Sequence, residues 1–117
     1  MRLRIVSIAD RGIAQNERLH LSVLADTNLV NYVVLDTIKI SSTAISTSPK
    51  HVFWLPSYPV KPGDNVVIYT RAGVQNNLRR RDGGADHFFF WGLDRAVWGD
   101  SNACAVVLEL NDWATSP

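Results

Sequence analysis

Three histidines, a single cysteine and a run of acids and arginines between positions 71 and 87 are the residues whose types could do chemistry. His20, His51 and His87 fall in three separate segments. Only His87 has acids close by in sequence, in Asp82-Gly83-Gly84-Ala85-Asp86-His87. Two carboxylates there could face a hard cation, but calcium requires about 6–8 oxygen ligands. The segment reads more simply as a flexible glycine loop tip, and no metal is expected. His20 falls on the polar side of a strand pattern, where a solvated imidazole is the ordinary state. Cys104 sits among Ala103, Ala105 and Val106, the setting of a buried, inert thiol. No Gly-x-Ser-x-Gly elbow, phosphate-cradling glycine loop or His-Glu-x-x-His pair occurs. A nucleophile would need Cys104 or a serine oriented by a histidine. The expectation is a protein without catalytic residues and without a cofactor.

The residues best suited to meeting a partner are basic or aromatic. Arg79, Arg80 and Arg81 are consecutive beside Gly83-Gly84, and Lys61 and Arg71 add to the basic set. Guanidinium groups reach phosphate or carboxylate with paired hydrogen bonds. Asp82 and Asp86 partly neutralise the run. Exposed charge pairs contribute only about 0–1 kcal/mol, so all three arginines are expected to be replaceable without loss of stability. Trp113 lies in the polar tail Asn111-Asp112-Trp113-Ala114. Tryptophan is enriched among residues that dominate binding energies, which makes Trp113 a candidate contact.

The elements that must position these residues are short β-branched, apolar runs separated by turn signals. Leu3 to Ile8 is the first, closed by Asp10-Arg11-Gly12. Glu17 to Leu24 alternates, with Leu19, Leu21 and Val23 on one side and Arg18, His20 and Ser22 on the other. That period of two marks a strand with one buried face. Val30 to Ile40 is a longer run, Ser41 to Pro49 a loop, and His51 to Leu55 a strand of mixed exposure that includes Trp54. Pro62-Gly63-Asp64-Asn65 is a turn that feeds Val66 to Thr70. Arg71 to His87 reads as a long polar loop, Phe88 to Trp91 as an aromatic strand, and Ala103 to Leu110 as the last strand. No capped helical periodicity appears. About seven strands in one domain of 117 residues match an antiparallel, immunoglobulin-like β-sandwich.

The second half resembles the lamin-tail domains. Val60-Lys61-Pro62-Gly63-Asp64-Asn65-Val66 is similar to the family's Pro-Gly-acid turn opening a strand. Phe90-Trp91-Gly92 and Val97-Trp98-Gly99-Asp100-Ser101 are similar to its aromatic-Trp-Gly element and its Trp turn before the final strand. Val52-Phe53-Trp54-Leu55-Pro56 resembles the apolar strand ahead of the proline turn. The resemblance implies an immunoglobulin-like sandwich with Trp91 and Trp98 in its core, used for contacts with proteins or nucleic acid. It implies no catalytic residues. Where the family often has Gly-Asp before its last strand, this chain has Asn102-Ala103. Asparagine tolerates the left-handed backbone a glycine would supply, so the turn is expected to persist.

Composition bounds the function. A chain of this length buries roughly two-thirds of its unfolded surface, enough for a core without staples. Hydrophobic residues at 46% and charged residues at 20% are those of a globular protein. The net charge of +1 leaves any nucleic-acid contact to a local patch. One cysteine precludes an internal disulfide. The apolar run after Met1 is too short for a secretory signal, and no segment reaches the ~20 apolar residues of a membrane span. The expected protein is a cytoplasmic, non-catalytic interaction module for a protein partner. Nucleic-acid binding through Arg71–Arg81 is the second reading and a small metal-dependent hydrolase the third. Homo-oligomerisation is compatible with either binding role.

Overall fold

A computed structural model describes residues 1–117 and is all-β, with ten strands where about seven were expected. They are β1 (Leu3–Ala9), β2 (Arg18–Val23), β3 (Thr27–Asn28), β4 (Tyr32–Ile38) and β5 (His51–Trp54). Then follow β6 (Pro59–Val60), β7 (Asn65–Tyr69), β8 (Asn76–Arg79), β9 (Ala85–Phe90) and β10 (Ala103–Glu109). No helix is long and apolar enough to cross a membrane.

The strands form a five-stranded sheet in the order β1-β2-β7-β9-β8, a three-stranded sheet β10-β4-β5 and the small pair β3-β6. All pairings are antiparallel except β7 with β9. That parallel pair arises because β8 returns along the outer edge of β9 before the chain enters it. One cluster of fifteen buried residues joins the sheets, with Leu19, Leu21, Ile68 and Phe89 facing Tyr32, Val34 and Val107. The result is a sandwich-like all-β fold. The alternation read in β2 is confirmed, since Leu19, Leu21 and Val23 are buried. Cys104 is buried and unpaired, as its apolar neighbours suggested.

Three expectations need correction. Arg71 to His87 is not one long loop: it contains β8, the hairpin turn at 80–84 and the start of β9. The polar side chains of β8 hid it, because an edge strand exposes both faces and needs no apolar alternation. The run beginning at Val30 becomes a strand only at Tyr32. Leu29–Asn31 is a 3₁₀ turn capped by the Asn28 side chain, whose oxygen accepts from the Val30 amide at 3.0 Å. Asn102 does not take the left-handed conformation; the only such non-glycine residue is Asp10. The turn before β10 closes instead through a hydrogen bond from the Ala103 amide to the Asp100 carbonyl at 3.0 Å.

The Trp98 turn is the most heavily tied loop of the fold. Trp98 is fully buried and donates through Nε1 to the Cys104 carbonyl at 3.1 Å. Arg11 reaches over from the β1–β2 connection and donates to the carbonyls of Trp98, Asp100 and Ala103. Gly12 and Gly99 pack so closely that a Cβ on either would come within about 3.2 Å of the other's Cα. Beneath them lies Glu17, fully buried. Its carboxylate accepts from the Thr70 hydroxyl at 2.7 Å and from the amides of Gly12, Val97 and Trp98 at 2.8, 2.8 and 3.1 Å. One side chain thus joins three loops, and no cation pairs with it.

Candidate functional site

The arginine run does not form one free patch. Arg80 is turned inward: Nη1 donates to Asp86 at 2.6 Å, Nη2 to the Gly63 carbonyl at 2.6 Å, and Nε to Asp82 at 3.3 Å. A Cβ on Gly84 would meet Arg80 Nη2 at 2.2 Å, so a larger residue there would displace the guanidinium. Arg80 therefore fastens the β8–β9 hairpin to the Pro62-Gly63 turn, a structural role that the arginine run did not reveal. Arg71 is also committed. Its guanidinium lies over Tyr69 and Phe90, 4.8 and 5.0 Å from the ring centres, and Nε donates to the Gln15 carbonyl. Arg71 and Arg79 stand at opposite ends of β9, a separation of about 17–20 Å for a strand of this length. Arg79 and Arg81 remain available. Arg79 shares a cavity of about 220 Å³ with Lys61, Asp64 and His87.

His87 is not a loop residue facing Asp82 and Asp86. It is buried in β9, with Nε2 2.9 Å from Asp64 Oδ2 and Nδ1 2.8 Å from the Tyr58 hydroxyl. An ionised Asp64 can only accept, so Nε2 is the nitrogen that donates to it, and Nδ1 pairs with the Tyr58 hydroxyl. Both ring nitrogens are occupied, so the chain Tyr58–His87–Asp64 locks the 58–64 segment onto β9. Burial alone would raise the Asp64 carboxyl. Bonds from His87 and from the Lys61 and Ala85 amides, together with the charge on His87, outweigh it and hold Asp64 below the usual carboxylate range. A carboxyl lowered on folding stabilises the protein above its unfolded value of about 3.9 and loses that contribution as pH falls through the folded value. Melts at neutral pH and near pH 3 should therefore show a steeper acid loss for wild type than for Asp64→Asn. Parallel losses would mean that Asp64 does not carry the acid sensitivity.

His20 is half-buried rather than solvated, on the outer face of β2. Burial first, then the nearby Arg18, lower its imidazole from the ordinary value against an opposing effect of Asp86.

A second acid–imidazole pair joins β4 to β5. Asp36 is buried and accepts from the His51 backbone amide at 2.6 Å and from ring Nδ1 at 3.0 Å. Fifteen residues separate the two, and only the register Asp36↔His51 brings them together. Neither this pair nor the bond of His87 to Asp64, 23 residues away, carries a local sequence signal.

An uncovered apolar surface is the outer face of the three-stranded sheet. The inward side chains are Tyr32, Val34, Phe53 and Val107. Alternation then places Val33, Leu35, Val52, Trp54, Val106 and Leu108 outward, in cross-strand register. Val52, Trp54 and Leu108 are exposed. Trp113 packs edge-on against Trp54, with ring centres 5.7 Å apart, and is itself 62% exposed. Towards Thr37 the face is covered, since Thr37 Oγ1 donates to the Ser46 carbonyl of the 39–48 segment. β5 is also an open sheet edge. The Leu55 amide donates to the Tyr32 carbonyl, so the backbone groups of Phe53 and Leu55 point at β4 while those of Val52 and Trp54 point away.

Trp113 is thus the one proposed contact on this surface, whereas Lys61 and Arg79 share a cavity elsewhere and Arg71 and Arg80 are bonded into the fold. No family model matches the chain, and no curated protein matches it either.

Proposed function

We propose that this protein is a non-catalytic interaction module, a lamin-tail-type immunoglobulin-like sandwich that docks a protein partner along β5. The uncovered face around Val52, Trp54, Leu108 and Trp113 carries the reading. Exposed apolar surface of this kind, on an open sheet edge whose flanking Lys50 and Pro56 lie outside the strand, is where a partner strand can add. The partner fitted to it is an extended, apolar segment. Its backbone pairs with Val52 and Trp54, and alternate side chains cover the two tryptophans. The fold type is supported by the motif glycines: Gly63 after Pro62 and Gly92 after Trp91 both hold left-handed backbones, at φ 90° and 86°.

Capture from cell extract, followed by reconstitution with the purified partner, tests the reading. Val52→Lys combined with Trp113→Ala changes only exposed side chains and should leave the melting temperature near wild type. Loss of such an anchor weakens binding by about 2 kcal/mol or more, roughly thirtyfold. A partner held equally by wild type and this variant would overturn the proposal.

A nucleic-acid reading rests on Lys61, Arg79 and Arg81, the cations left free once Arg71 and Arg80 are accounted for. Arg79→Ala with Arg81→Ala, keeping Arg80, isolates it. Phosphate contacts make affinity fall steeply with salt, and two lost contacts should flatten the logarithmic slope by about two. An unchanged slope would remove this reading.

A further inference from the structure

The Asp36–His51 pair opens onto the largest cavity of the molecule, about 490 Å³, and neither the docking reading nor the arginine segment uses it. The cleft lies between the inner end of β5 and the 95–100 loop. Its lining is polar, with Lys50, His51, Arg95 and Asp100 around a floor of Gly12, Ala96, Val97 and Gly99. We propose that this cleft binds a small phosphate monoester, recognised by His51, Lys50 and Arg95.

The carboxylate of Asp36 is the first reason. It is only 4% exposed, and His51 supplies its backbone and ring donors and its one ion pair. A buried carboxylate satisfied this way fixes the imidazole with Nδ1 turned inward. Nε2 is then the outer nitrogen of a ring that is 38% exposed at the cleft. The Trp91 ring stands edge-on to the imidazole, centres 6.5 Å apart, and limits its rotation. With Nδ1 spent on Asp36, Nε2 is the ring nitrogen left to face an oxyanion.

The second reason is the surrounding donors. Lys50 and Arg95 stand exposed at the mouth, Arg95 in a solvent-exposed pair with Asp94 at 3.6 Å, and both are long enough to fold over an anion. The backbone amides of Ala96, Gly99 and Asp100 donate to no group within the protein, while those of Val97 and Trp98 between them are taken by Glu17. The 96–100 loop is held in place from behind by Glu17 and Arg11, so the unengaged amides sit on a preorganised backbone. Cationic side chains and backbone amides are the donors that recognise phosphate oxygens. The volume lies within the range of small-molecule sites and exceeds what a bare phosphate ion fills. Asp100, also in the lining, can accept from a hydroxyl on the ester's organic part, a contact beyond the reach of a bare phosphate ion.

The test titrates the ¹⁵N-labelled protein with inorganic phosphate, glycerol 3-phosphate and, as an ionic-strength control, sodium chloride. Glycerol 3-phosphate should shift the amides of Ala96, Gly99 and Asp100 and the His51 ring nitrogens, saturate in the millimolar range or below, and bind more tightly than phosphate. Lys50→Ala with Arg95→Ala alters only exposed side chains and should weaken binding about tenfold or more. His51→Gln should weaken it similarly; because it also removes the ring partner of the buried Asp36, its melting temperature is measured alongside. Shifts no larger than those from chloride, equal affinity for phosphate and the ester, or unchanged affinity in the Lys50/Arg95 variant would each overturn the proposal. Because the His51 and Val52 side chains leave β5 on opposite faces, failure here leaves the docking test unaffected.

Discussion

Glu17→Ala is expected to lower stability by about 3–5 kcal/mol, because it strips four donors of their acceptor and leaves at least two of them buried. Each unsatisfied buried group costs about 1–3 kcal/mol, and the vacated volume adds to that. For a domain whose total stability is on the order of 5–15 kcal/mol this is a large fraction, visible as a fall in melting temperature of about 10–20 °C. Glu17→Gln tests the chemistry separately from the volume. The amide keeps one acceptor oxygen but turns an NH₂ group toward peptide N–H donors, so a smaller but clear loss is expected. A Glu17→Ala protein that melts within a degree or two of wild type would show that the 12, 70 and 97–98 segments are held by other contacts.

Trp98→Ala should cost a similar amount, about 3–5 kcal/mol, from the buried volume of the largest side chain in the core. The bond from Nε1 to the Cys104 carbonyl is lost with it, leaving that carbonyl without its partner. Trp91, whose ring centre lies 5.7 Å from that of Trp98, would lose one wall of its packing while keeping its stack on Phe53. Chemical denaturation is the suitable measurement, since an unchanged m-value confirms that the same folded state is being compared. Glu17 and Trp98 act on the same turn, so their losses should not add. The double variant should be less destabilised than the sum of the singles by about 0.5–3 kcal/mol. Strict additivity would mean that the Glu17 bonds to the 97–98 amides hold the turn independently of the indole.

What the amino-acid order determined by itself was local. The two-residue alternation of Leu19, Leu21 and Val23 marked a buried strand face, because successive side chains of a strand leave on opposite sides. Pro62-Gly63 marked a turn, since Gly63 adopts a left-handed backbone that other residues resist. The apolar neighbours of Cys104 marked a buried thiol, and those features together were enough for an all-β sandwich-like fold. The placement of Trp98 in the core followed from its motif and proved right.

The polar sites were decided only by the tertiary structure. Asp36 meets His51, Asp64 meets His87 and Glu17 meets Trp98 through strand register and loop packing, at separations of 15, 23 and 81 residues. A one-residue slip in register would turn the strand residues Asp36, His51 and His87 to the other face. The arginines show the same limit from the opposite direction. Arg79, Arg80 and Arg81 are identical as residues. Yet the hairpin turn and the absent side chain of Gly84 direct Arg80 alone onto Asp86 and Gly63, leaving its neighbours in solvent. Likewise, nothing near Val52, Trp54 or Trp113 in the chain distinguishes a covered face from a bare one. Their exposure follows from β5 being the last strand of its sheet, with no further layer packed outside it.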